Sequence, residues 1–172
     1  HTGANGACET DCGDTLVSTL EECDDGKNGN NRDTCYDTCQ IGSLPSGWLD
    51  VANKTNVAGW SCDPDAWSTT DPITLKFYDG QGNLRNETST GITVVDRPDL
   101  ITNGDVCNGT TLHGFSFDAS TVIEGMIANS YPKPYTVRAF AENLGAKPAG
   151  LDYAELSESN KTMIFCGNEQ VD

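Results

Sequence analysis

No apolar run in this 172-residue chain approaches the roughly 20 residues that a membrane-spanning helix needs. Basic residues are also scarce. Ten Lys and Arg face 26 Asp and Glu, which gives a net charge of −16 and a pI near 4.2. Such a chain repels phosphate backbones and anionic bilayers, so nucleic-acid binding and membrane insertion are not expected. Histidine occurs only at His1 and His113, and no Cys-x-x-Cys pair exists. Zinc sites favour closely paired ligands, so a zinc protein is disfavoured, although Cys8/Cys12 and Cys35/Cys39 are each separated by three residues. An N-terminal His1 offers an amine and an imidazole, which with His113 could chelate copper. Two lone histidines beside a loose Thr-Gly-Ala-Asn-Gly stretch do not make that site, and His113 is expected to cap a turn. Neither a Gly-x-Ser-x-Gly elbow nor a His-Glu-x-x-His motif is present. Asp63-Pro-Asp65 reads as a Pro-centred turn rather than an acid–base pair, and no enzyme is expected.

Eight cysteines are present, at Cys8, Cys12, Cys23, Cys35, Cys39, Cys62, Cys107 and Cys166. An even number, with five in the first 39 residues, suits an oxidised, extracellular protein. No signal peptide is visible, so a secreted reading expects His1 to begin the mature form. Apolar residues make up 36% of the chain, enough for a modest core that gains from covalent bracing.

The chain divides near residue 41. Residues 1–40 carry nine acids and two bases and lack a periodic apolar pattern, so cross-links or metal must hold them. Residues 41–47, Ile-Gly-Ser-Leu-Pro-Ser-Gly, form a connector. From Trp48 to the end the pattern becomes β. Ile73–Tyr78 alternates, Asp79-Gly-Gln-Gly82 signals a hairpin, and Leu84–Thr90 returns, with Ile92–Val95 expected among its partners. His113–Asp118, Tyr135–Ala141 and Thr162–Cys166 supply further strands. Residues 119–129 suit one helical turn, and Pro132 and Pro134 mark a rigid turn. The expected fold is mostly β: an antiparallel β-sandwich over 48–172, preceded by a small disulfide-rich irregular module over 1–40.

Three sets of residues are candidates for binding or modification. Asp24, Asp25, Asn28, Asn30 and Asp33 are oxygen donors on a glycine-punctuated loop, the kind of ligand set Ca²⁺ takes. The spacing is not that of an EF-hand, and the same residues also suit Asx-turns. Asn53, Asn86, Asn108 and Asn160 each begin an Asn-x-Thr acceptor triplet for glycosylation. Of the three tryptophans, Trp60 is expected in the core, and Trp67, beside Ser and Thr, is expected to offer its ring to a sugar.

Two stretches resemble known families. Cys12-Gly-Asp…Glu21-Glu-Cys-Asp-Asp-Gly26…Cys35…Cys39 resembles the Cys-rich repeat of myxobacterial and protist secreted proteins. The chain departs from it at Thr15, Lys27 and Thr34. The resemblance implies a small extracellular disulfide module without catalysis. Residues 47–141, through Gly59-Trp-Ser-Cys-Asp-Pro-Asp65, Arg97-Pro-Asp99 and His113-Gly-Phe-Ser-Phe117, are similar to a β-sandwich module of multidomain secreted surface proteins. Cys62 and Cys107 fall outside that module's pattern, which implies a disulfide between them particular to this chain and leaves Cys8 for Cys166. Eight cysteines otherwise permit 105 connectivities.

Together these features lead us to expect an extracellular structural or adhesive protein, such as a subunit of a surface filament or appendage. Its partners would be copies of itself or other surface proteins. The alternative is a carbohydrate-binding module of a secreted protein, with glycans as partners.

Overall fold

The computed structural model describes residues 43–102, 107–144 and 150–163. The segment 1–40, with the calcium candidates Asp24, Asp25, Asn28, Asn30 and Asp33 and five of the cysteines, lies outside the described residues, as does Cys166. In chain order the elements are β1 (Ser46–Ala52), β2 (Val57–Cys62), β3 (Ile73–Tyr78), β4 (Leu84–Thr88), β5 (Thr93–Val95), α1 (Asp99–Thr102), β6 (Gly114–Phe117), α2 (Ser120–Ala128), β7 (Thr136–Glu142), β8 (Tyr153–Glu155) and β9 (Lys161–Thr162). They form two antiparallel sheets, ordered β1-β2-β6-β5 and β4-β3-β7-β8, with β9 also paired to β7. The chain is mostly β, as expected.

The period-two pattern explains how the sheets meet. On β3 and β7, Ile73, Leu75, Phe77, Val137, Ala139 and Ala141 point inward and are buried, while the residues between them are half-buried. The first sheet answers with Leu49, Val57 and Phe115, and all of these share one core. Leu49, Leu75 and Phe77 keep no exposed surface, and each such burial stabilises the fold by about 2–3 kcal/mol. Helix α2 spans nine residues, more than the single turn expected from sequence. Ile123 and Met126, three apart and so on one face, drive it into the same core. Asp118 Oδ1 accepts the Ser120 N–H at 2.9 Å, an Asx-turn that leads into the helix.

One side of the two-layer arrangement is stitched closed. Leu156 N–H bonds to Ala139 O, while Leu49 N–H bonds to Ser157 O and Ser157 N–H to Gly47 O, so this segment bridges β7 and β1. The opposite side carries the margins of β4 and β5, and those margins have no strand partner among the described residues. Strand β5 does not pair with β4, as its sequence proximity suggested. It crosses to the first sheet and pairs with β6, where Val94 lies opposite Phe115.

Strands β1 and β2 are set by glycine. A Cβ on Gly59 would collide with the Trp48 carbonyl oxygen and lie 2.9 Å from Cζ of Phe115. Only glycine therefore lets β1 and the Phe115 ring approach β2 from both sides. The disulfide Cys62–Cys107 joins the end of β2 to the turn before β6, with Cα atoms 5.7 Å apart. It closes a 45-residue span and anchors a second apolar cluster with Leu100, Trp60 and Trp67.

Candidate functional site

The outer face of the second sheet gathers aromatic and charged side chains from four strands. Register places Thr74 opposite Phe140 and Lys76 opposite Arg138, with Glu87 across from Lys76 on β4 and Glu155 across from Phe140 on β8. The alternation that sends Leu75 and Ala139 inward sends these residues outward. Arg138 is held by Glu155 through two parallel hydrogen bonds, Nε to Oε1 at 2.7 Å and Nη2 to Oε2. The pairing holds the Glu155 carboxyl below the usual carboxylate range and raises the guanidinium pKa. The Arg138 plane lies 5.2 Å from the Phe140 centroid and 5.9 Å from that of Tyr78, and Lys76 Nζ lies 5.1 Å from Phe140. Lys76 also reaches Glu87 at 3.6 Å. Beside this group opens a cleft of about 300 Å³, lined by Thr74, Lys76, Glu87, Phe140, Asp152 and Tyr153, among others. Tyr153 is 52% exposed at its rim. Hydroxyl, ammonium and carboxylate groups around two aromatic rings make a surface that can stack on a sugar ring and bond its hydroxyls.

The tryptophans are placed differently from expectation. Trp67 is half-buried against the Cys62–Cys107 cluster. It lines a separate polar cleft of about 280 Å³ with Thr70, Thr110, Leu112 and His113. Trp60 is half-buried in the same cluster, on the outer side of the first sheet rather than in the main core. Trp48, directly across from Trp60, is the more open ring at 43% exposure. Next to them the β1 bulge at Asp50 supplies one arm of an ion triad. Arg97 donates to Asp50 at 2.6 Å and to both Asp99 oxygens at 2.8 Å, with its stem laid over Gly114. The Arg-Pro-Asp motif thus ties the end of β5 back across the sheet to β1, and the hydrogen bonds from Arg97 lower the Asp99 pKa.

His113 is buried at the edge of the second cluster. Its Nε2 sits 2.9 Å from the Trp67 carbonyl oxygen and 2.6 Å from Thr110 Oγ1. The Cys62 and Cys107 sulfurs and a ring nitrogen of His113 lie within 4.8 Å of one another. Asp63 and Asp71 are also buried. Asp63 Oδ1 accepts the Asp65 N–H at 2.8 Å, so Asp63-Pro-Asp65 is a turn, and its Oδ2 accepts the Leu144 N–H at 2.6 Å. Asp71 takes a hydrogen bond from Ser61 Oγ at 2.6 Å. Burial, reinforced by the Asp63 charge and only partly offset by Ser61, pushes its pKa up to about 6.

The four acceptor asparagines fall at turns and on an edge. Asn86 lies exposed on β4. Asn108 and Gly109, both with positive φ, form the exposed turn after Cys107, and Asn160 precedes β9, also at positive φ. Asn53 is half-buried, its Oδ1 taking the N–H groups of Thr55 and Asn56 in the β1–β2 turn.

Sequence reasoning did not single out Lys76, Phe140 or Tyr153. The first two are legible as outward positions of recognised strands, whereas β8, with only three residues, gives no periodic signal. Compared with protein-family models, curated proteins and solved structures, the chain finds no match.

Proposed function

We propose that this chain is an extracellular structural or adhesive protein that holds carbohydrate on the outer face of its second sheet. The observation that carries the reading is the cleft bounded by Phe140 and Tyr153, with Lys76, Thr74, Glu87 and Asp152 around it. Its volume stands at the small end of ligand sites and suits a mono- or disaccharide unit. The Cys62–Cys107 bond and the exposed acceptor asparagines agree with an oxidising, extracellular setting. Adhesion by glycan contact needs stacking and hydrogen bonding, and this face offers both.

The test is a glycan array with the wild type, Tyr153→Ala, Lys76→Ala and Trp67→Ala. Binding by the wild type that falls at least tenfold in Tyr153→Ala and Lys76→Ala, with Trp67→Ala unchanged, supports this face. A loss confined to Trp67→Ala moves the site to the cleft beside His113. No binding to any glycan removes the carbohydrate reading.

A second reading, a self-associating filament subunit, draws on the margin of β5. Val94 there is 49% exposed on a strand without Lys or Pro, residues that commonly block edge pairing. The β4 margin is less suited, since it carries Arg85, Glu87 and the Asn86 acceptor. Sedimentation at rising concentration with Ca²⁺ present distinguishes them, because a protein that stays monomeric is not a filament subunit. Calcium enters this reading through Asp24, Asp25, Asn28, Asn30 and Asp33 as a brace for the amino-terminal segment.

A further inference from the structure

We infer that Cys62, Cys107 and His113 form a buried, redox-gated site for a thiophilic divalent cation such as Zn²⁺. The three residues keep 0%, 0% and 3% of their surface exposed, and the two sulfurs and one ring nitrogen of His113 lie within 4.8 Å of one another. The hydrogen-bond network favours Nδ1 as the available imidazole nitrogen. The Trp67 carbonyl oxygen, 2.9 Å from Nε2, can only accept, so Nε2 carries the proton. Thr110 Oγ1 then accepts at Nε2 and donates to the Cys107 carbonyl oxygen at 2.7 Å. Nδ1 is left with a lone pair, buried and without a hydrogen-bond partner among the described residues. A buried acceptor without a donor is destabilising, and a cation held with the two sulfurs would satisfy it. A histidine whose far nitrogen is fixed by a backbone carbonyl is the usual preparation of a metal ligand.

The disulfide is the gate. While Cys62 and Cys107 are bonded to each other, neither sulfur is a thiolate, and the site is closed. A dithiol or phosphine reductant delivers two electrons to the S–S bond, which breaks, and each sulfur takes up one proton while the reductant is oxidised. Zn²⁺ then displaces those two protons to solvent and binds two thiolates and the neutral Nδ1. Zn–S distances near 2.3 Å in a tetrahedral arrangement require the sulfurs to part to about 3.7 Å. The Cys62 and Cys107 backbones are 5.7 Å apart at Cα, which leaves that movement to side-chain rotation. A Cys₂His set leaves one coordination position for water or a further ligand.

The experiment uses the full chain, labelled with ¹⁵N at histidine and loaded with ¹¹³Cd²⁺ as the probe, with and without a phosphine reductant. Only two histidines exist, so the ring signals of His1 and His113 are separable. The reduced protein is expected to show the His113 Nδ1 resonance split by coupling to ¹¹³Cd, with Nε2 unsplit and the oxidised protein unaffected. The other six cysteines bind cadmium without splitting His113. His113→Gln, with an unchanged amide spectrum, is expected to weaken cadmium binding at this site at least tenfold. Cys62→Ser with Cys107→Ser should abolish the splitting. The inference is overturned if the reduced chain shows no splitting, if the oxidised chain splits equally, if Nε2 is the split nitrogen, or if the described fold melts on reduction.

Discussion

Replacing Asp71 with Asn should make the protein more stable at neutral pH and flatten one part of its pH dependence. Asp71 keeps only 3% of its surface exposed, and its pKa is pushed up from 3.8 to about 6, chiefly by burial. A carboxyl whose folded pKa exceeds its unfolded value binds its proton more tightly when folded. Its contribution is fully present below about pH 4 and is lost as pH rises through about 6. The distance from 3.8 to about 6, at 1.36 kcal/mol per pH unit, comes to about 3 kcal/mol at pH 7.5. Asparagine keeps an acceptor for Ser61 Oγ and carries no charge to desolvate or to face Asp63. Urea unfolding of both proteins from pH 4 to pH 8 is the assay. The stability of Asp71→Asn relative to wild type should climb by up to about 3 kcal/mol between pH 4 and pH 7.5 and level off above pH 7. Taking the change across pH removes any constant effect of the substitution, and it separates Asp71 from other carboxyls such as Asp79. Burial alone would raise the Asp79 pKa, but the Asn83 and Gln81 N–H groups and Arg85 hold it at about 2. Parallel curves for the two proteins would refute the reasoning.

Other outcomes follow from the same structure. Cys62→Ala with Cys107→Ala opens a 45-residue span and should cost about 4 kcal/mol by loop entropy, read by urea denaturation. Gly59→Ala should cost about 3 kcal/mol or more, or yield insoluble protein, because its Cβ has no space between the Trp48 carbonyl and the Phe115 ring. Arg97→Met should cost only about 1 kcal/mol, since Asp50 and Asp99 are partly in water, and the loss should shrink in high salt. On the calcium reading, removing Ca²⁺ with a chelator lowers the melting temperature, and Asp24→Asn with Asp25→Asn cancels that effect.

Much of the second sheet is legible in the sequence. Ile73–Tyr78 and Tyr135–Ala141 alternate strictly because one face meets the core and the other meets water, and both strands lie within a residue of their expected bounds. The first sheet is harder to read. Gly47 and Gly59 blur the alternation of β1 and β2, because their requirement is close backbone approach rather than side-chain burial. Strand β5 is too short to declare its partner, and only the chain's crossing between layers places it beside β6. The candidate site is half visible. Phe140 and Lys76 follow from strand phase, but their convergence with Tyr153 depends on β8 pairing with β7, which has no local signal in the sequence. Trp67 stands out for its polar neighbours, yet its ring packs on a disulfide that joins positions 45 residues apart.

The claim that the outer face of the second sheet grips carbohydrate is tested most directly by amide chemical-shift mapping during titration with the best oligosaccharide from an array. Saturable shifts centred on Thr74, Lys76, Phe140 and Tyr153 are expected, as is their loss in Tyr153→Ala. Shifts centred on Trp67 and His113, or none at all, would contradict the claim.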